Sequence, residues 1–433
     1  MKKGLSLLLC LLMSFFITAL VFGNGGAQKA SNAGKKLVLY TELTEGSLEG
    51  DQLRKSIQNF CANNPGISIE AMSSASQDFD TFFKTAVAGG EQIDLAEINI
   101  QFFRDYVTRG LLKPLDGLVD FSKVPRIQMA WDQEKYFSRK DQRYGVPMRL
   151  DSSAVYYNPA IFSQYGIAIP KTWDDIYAIK DKLAGTGVAA MVYAGAEPWW
   201  NPMHFNIIFY QMTKNHGLEV NDKFMKGDFS PEVIKPYIDT LQFFADLDAN
   251  GVFIPGTQGM DFPSALTVFT SGKAAMFYMG TWFQDNLASS APDFKYSIFP
   301  VPVMDKSLKS EPAGSIAVMY SIYNNTKYPD VAAKFIEYHC SPARVGEIFS
   351  EGGSGINITP GAKLDLSNPV KSIFNDIGPS TCIWLDAIWE PEIITAFQQG
   401  CQAAILKQKT TTQVMDDIIA LYKQLRQQGK TFY

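Results

Sequence analysis

Apolar residues follow two rhythms along this chain. Lys36-Leu-Val-Leu-Tyr40 is a short apolar run of the buried-strand type. Over residues 50–61 the apolar positions take helical spacing, with Leu53, Ile57 and Phe60 on one face. Asn64-Pro-Gly66 stops that helix, and Ile67-Ser-Ile-Glu70 predicts a second strand. Residues 79–88 predict a helix ended by Gly89-Gly90, residues 93–98 a third strand, and residues 101–108 a further helix. Strands and helices alternating at these lengths predict an α/β fold with a parallel sheet covered on both faces.

The rhythm changes between Tyr144 and Ile176. Tyr144-Gly-Val-Pro147 and Ala154-Val-Tyr-Tyr157 read as two short strands, the second stopped by Asn158-Pro159. Between them lie Arg149, Asp151, Ser152 and Ser153, polar groups in an otherwise apolar run. Pro170-Lys-Thr172 then opens a helix. Thr172 is placed to cap it, Asp175 sits at the third helical position, and Trp173, Ile176, Ile179 and Leu183 follow at helical spacing.

Composition narrows the function. At 433 residues and 46% hydrophobic, the chain can fill two cored lobes. The net charge of -5 comes with no basic run, which argues against nucleic-acid binding. Lys2 and Lys3, an apolar run over residues 5–22 and Gly23-Asn-Gly-Gly-Ala27 predict a signal peptide, residues 1–23, cleaved after Gly23 or Ala27. A membrane anchor is the competing reading, but no charged stop-transfer flank follows. The cysteines beyond that segment, Cys61, Cys340, Cys382 and Cys401, form no CxxC pair, so buried thiols are as good a reading as disulfides.

Several segments occur in one telling order: Asn64-Pro-Gly-Ile-Ser-Ile69, Gly110-Leu-Leu-Lys-Pro-Leu-Asp116, the Tyr144–Ile176 stretch, Phe269-Thr-Ser-Gly-Lys-Ala-Ala-Met276 and residues 325–336. Together they resemble the extracellular solute-binding proteins of ABC importers, especially the maltose-binding-protein-like sugar binders. The resemblance implies a periplasmic-binding-protein-like fold: two α/β lobes, a hinge, and a ligand cleft between them. It implies chain crossings near residues 150, 300 and 352, so that residues 36–149 and 300–351 form lobe I and residues 150–299 and 352–433 form lobe II. It further implies a monomer that binds sugar, meets importer permease subunits and needs no cofactor or metal. Many such proteins are lipid-anchored through a cysteine just after the signal; here the nearby one is Cys10, inside the apolar run, so a soluble periplasmic protein is expected.

Ligands of open α/β sheets bind beyond the carboxyl ends of the strands. That rule selects Thr41, Glu42 and Thr44, then Asn99 and Gln101, then Arg149 and Asp151. For each, a solvated loop group or a helix cap is the competing role. In the second lobe, Glu197-Pro-Trp199 matches a Glu-Pro-aromatic triplet that holds sugar in the resembling family, with Trp200 beside it. Trp282 resembles that family's stacking tryptophan after a strand, and Trp384 and Trp389 both suit a second one. Gly353, in Gly352-Gly-Ser-Gly355, resembles a loop whose amides approach ligand. Flat rings cover the C–H face of a pyranose, and carboxylates accept from its hydroxyls. A core role is the alternative for each tryptophan.

Enzyme signatures are lacking. His204, His216 and His339 make no HExxH, and no Gly-x-Ser-x-Gly elbow occurs. A pair such as Glu197 and Asp151 leaves a secreted glycosidase as a remote alternative. A polyamine, peptide or polyol phosphate in the same fold is the nearer one, although the sequence places too few converging carboxylates for a polyamine and too few basic groups for a phosphate.

Overall fold

A computed structural model describes residues 34–138, 140–308, 310, 313–378 and 382–430. The expected signal peptide and its cleavage point lie outside the described residues. Among the described residues, ten strands form two sheets: β1 (Lys35–Thr41), β2 (Ile67–Ser73), β3 (Leu95–Asn99), β4 (Val146–Pro147), β5 (Leu150–Tyr157), β6 (Ala189–Val192), β7 (Ala274–Gly280), β8 (Ser297–Phe299), β9 (Gly314–Ile316) and β10 (Val318–Ile322). The first sheet has the order β2-β1-β3-β10-β4 and the second β6-β7-β5-β8, with β9 on the early part of β5.

Both sheets are mixed, where the alternation of elements predicted parallel ones. β10 runs antiparallel to β3 and β4, and β5 antiparallel to β7 and β8. Each reversed strand enters its lobe directly from the other lobe. The remaining neighbours are joined through helical crossovers, the connection that parallel pairing needs.

β5 begins earlier than its apolar residues suggested. Leu150, Asp151 and Ser152 pair with β9, and from Ser153 onward the strand pairs with β7. The polar residues are therefore the first half of one strand, which leaves lobe I there and joins lobe II. Ser152 and Ser153 are fully buried, and both hydroxyls donate to the Ala313 carbonyl.

The second passage falls at β9, well after residue 300. Residues 301–303 still belong to lobe II: Val303 N–H donates to Lys171, Trp173 N–H donates to Val303, and Gln211 Nε2 donates to the Pro302 carbonyl. The third passage is also longer than expected. Ile356 exchanges backbone bonds with Leu150, Ala362 and Leu364 still pack on the lobe I core, and lobe II resumes with the helix Pro369–Ile377 against β8.

Local signals hold where hydrogen bonds are local. The helix Trp173–Leu183 carries a complete capping box: Thr172 Oγ1 accepts from Asp175 N–H at 3.3 Å, and Asp175 accepts from Thr172 N–H at 2.9 Å. Trp173 is 4% exposed and belongs to the core. Cys340, Cys382 and Cys401 are buried; Cys61 is partly so, and Cys61 and Cys340 are free thiols.

Candidate functional site

Lobe II presents a wall of tryptophans. β7 ends at Gly280, and a Cβ there would lie 2.1 Å from the Trp282 ring, so only glycine lets that ring fold back over the strand end. Trp282 opens the helix Phe283–Ser290. Its ring meets Trp199 at 6.1 Å and 69°, and Trp384 at 5.8 Å and 80°. These are edge-to-face contacts, which keep ring faces available for a ligand. Trp199 and Trp282 are half-buried, Trp384 nearly covered, and Trp384 Nε1 has no hydrogen-bond partner.

Beside this wall the hinge gathers charge. Arg149 Nε holds Asp151 at 3.1 Å, and its Nη1 holds Glu49 at 3.0 Å. Thr281 Oγ1, next to Trp282, donates to Asp151 at 2.8 Å. Ser354 Oγ donates to Glu49 at 2.9 Å. Asp285, one helical turn beyond Trp282, packs against Glu49. Burial first, then the Glu49 charge, pushes its carboxyl up to about 8. Glu97 is also fully buried. Burial and the neighbouring Glu42 charge push it up to about 8, although Thr41 Oγ1 donates to it at 2.6 Å.

The lobe I residues expected at the ligand surround this cluster. Asn99 Nδ2 donates to Glu42 at 3.3 Å, while its Oδ1 caps the helix Ile100–Thr108 by accepting from Gln101 N–H. Gln101 is exposed. The Thr44 carbonyl accepts from Ser47, which caps the helix Leu48–Asn63. The structure thus brings Glu42, Asn99, Arg149 and Asp151 into one region, with Thr44 on its rim.

Four expected positions lie elsewhere or serve the fold. Trp200 has no exposed surface; it stacks on Tyr193 at 4.0 Å, and its Nε1 donates to the Tyr278 carbonyl. It occupies the lobe II core because the helix Trp200–Met212 turns it inward, leaving the adjacent Trp199 at the surface. Trp389 is 5% exposed and donates through Nε1 to Asn221 at 2.7 Å, so Trp384 is the one beside Trp282. Glu197 Oε1 accepts from Phe262 N–H at 3.0 Å, at the start of the helix Phe262–Thr270. Gly353 N–H donates to the Ile348 carbonyl at 2.8 Å and is not offered outward.

Residue-by-residue reading missed Glu49, Glu97, Asp285 and Ser354. Asp285 carried one signal: it stands three residues after Trp282, on the same helical face. Side-chain contacts join the two lobes. Arg104 of lobe I donates to the Ile388 carbonyl and holds Glu390 at 2.5 Å, and Tyr136 donates to Asp222 across the same gap.

The multiple sugar-binding protein of Streptococcus mutans is 22% identical over 395 residues, 87% of this chain and 88% of that protein. Among solved structures, the solute-binding protein RafE in complex with raffinose superposes with a TM-score of 0.72 at 20% identity, covering 89% of this chain and 98% of that one. A chitin oligosaccharide binding protein reaches 0.77 at 18% identity, covering 90% and 98%. These structures share the two-lobed fold. Residues 46–343 match the family described as bacterial extracellular solute-binding protein, and the chain belongs to that family.

Proposed function

We propose that this chain is the substrate-binding component of an ABC importer and captures a mono- or oligosaccharide between its lobes. The observation that carries this reading is the contiguous edge-to-face set Trp199, Trp282 and Trp384 beside the Arg149–Asp151 pair. Half-buried aromatic rings suit the C–H face of a sugar, and the flanking carboxylates suit its hydroxyls. The names of relatives support it: one is a multiple sugar-binding protein and another, 25% identical over 266 residues, an arabinooligosaccharide-binding protein of Halalkalibacterium halodurans.

As a member of an extracellular family, the chain is exported; a periplasmic, monomeric receptor fits this reading. Binding would draw the lobes together by hinge rotation about β5, β9 and residues 353–356. The closed pair would present one composite surface to permease subunits. ATP hydrolysis elsewhere would supply the energy, so the chain acts without a catalytic group. The matched relatives are binding proteins, in keeping with that role. A thermal-shift screen of the purified protein against mono- and oligosaccharides tests it. A rise in melting temperature with one sugar class, without product formation, is expected. No shift with any saccharide would remove the reading.

A further inference from the structure

We propose that the hinge carries a proton-operated joint: Glu49 of lobe I and Asp285 of lobe II share one proton where the lobes meet, and losing that proton drives the lobes apart. This inference goes beyond the saccharide reading and does not depend on it.

The helix Leu48–Asn63 packs on β2 of the first sheet, and the helix Phe283–Ser290 follows β7 of the second. The two helices touch each other beside the hinge, and each brings a carboxyl in its first turn, Glu49 and Asp285. These carboxyls are in hydrogen-bonding contact. Ionised carboxylates accept and never donate, so the contact holds only while one of the pair carries a proton. Arg149 Nη1 and Ser354 Oγ already serve Glu49, at 3.0 and 2.9 Å. Asp285 Oδ1 is covered and has no hydrogen-bond partner. Asp285 is therefore the member that keeps the proton.

Neighbouring charges decide how firmly the proton is held. Asp285 faces Glu49 from the helix Leu48–Asn63, Arg149 from the hinge, Tyr156 from β5, Tyr296 just before β8 and Lys371 from the helix Pro369–Ile377. Burial first and the Glu49 charge second raise its carboxyl to about 8; Arg149 acts against them with the smaller effect. Arg149 divides its charge between Glu49 and Asp151, and Lys371 Nζ donates to the Phe349 carbonyl. Burial pushes the Tyr156 and Tyr296 hydroxyls upward, so both are neutral in this range. Glu97 and Tyr320 lie near Glu49 on the lobe I side and do not tell joined lobes from separated ones.

Parting the lobes returns water to Asp285 and removes Glu49. Its carboxyl then falls back toward the ordinary range and releases its proton at neutral pH. The joined lobes thus bind one proton more than the separated ones. Their share relative to separated molecules falls as pH rises, by up to about tenfold per pH unit, and levels off above about 8, where joined molecules lose the proton too. Beyond that point two negative charges face each other across the interface.

Small-angle X-ray scattering on the ligand-free protein, from about pH 5.5 to about 9.5, tests this. The expected result is a radius of gyration that rises with pH and levels off above about 8, with circular dichroism unchanged. Asp285→Asn keeps the shape, carries no charge and donates from its amide, so it should hold the smaller radius at every pH. Glu49→Gln removes the like charge from the other lobe and should flatten the profile as well; it decides the matter if Asp285→Asn does not fold. A wild-type radius that stays constant or falls with pH would overturn the joint. So would a rise that persists in the variants, since another group would then drive it, or one that comes with loss of circular dichroism, since that is unfolding. None of these results touches the saccharide reading, which the thermal-shift screen tests by itself.

Discussion

Arg104 of lobe I clasps Glu390 of lobe II at 2.5 Å, with both side chains mostly covered. The bond joins one lobe to the other. Arg104→Ala should therefore weaken ligand affinity by roughly three- to tenfold, about 0.7–1.4 kcal/mol, mainly through faster dissociation. Surface plasmon resonance measures this. An unchanged dissociation rate would mean that the bound form does not use the clasp.

Trp282 and Trp200 should behave as opposites. Trp282→Ala is expected to cost about 1–3 kcal/mol of saccharide binding and little stability. Trp200 has no exposed surface, so Trp200→Ala should cost about 3–5 kcal/mol of folding stability. Denaturant melts and calorimetry on both variants separate the effects. Equal affinity losses with intact folds would place both rings at the ligand.

Glu197 tests a cap against a contact. Its carboxylate accepts from Phe262 N–H at a helix start, where negative charge is favourable. Glu197→Gln should lower stability by about 0.5–1 kcal/mol and leave sugar affinity within about twofold. A tenfold affinity loss would restore the ligand contact expected from the Glu-Pro-Trp triplet.

Stability should fall as pH rises from about 6.5 to 8. Burial raises Glu97 and Asp285 above their unfolded values, up to about 8 each. Their folded forms then hold protons that the unfolded chain has released, and that stability is lost as pH climbs through the folded values. Glu134, raised by burial to about 7, acts in the same direction over the lower part of the window. Buried His204 and His339 have lowered pKa values and act in the opposite direction, but below about 6.5. Chemical melts of the ligand-free protein across this window should slope downward, and Glu97→Gln should flatten the slope. A rising slope in the wild type would show that Glu97 and Asp285 are ionised in the fold.

Much of the fold was legible because its signals are local. A capping box needs Thr172 and Asp175 three residues apart, and strand runs such as Lys36–Tyr40 announce themselves by composition. The alternation of elements implied α/β sheets with helices on both faces, and the ordered segments implied the solute-binding architecture. Trp282 was findable because a strand end and a helix start fix its place within a few residues.

What tertiary structure alone decided is which neighbour stays at the surface and which carboxylates meet. Trp199 and Trp200 are adjacent in sequence, yet a helix start sends one outward and the other into the core. Glu197 finds its partner 65 residues away. Glu49, Glu97 and Asp285 meet Asp151 from both lobes, so no spacing in the chain announces their convergence. The direction of β5 and β10 likewise depends on how the chain passes through the hinge. Sequence neighbours determine local hydrogen bonds and helical faces; the cleft is made of distant segments, and only their packing says which polar groups lose water together.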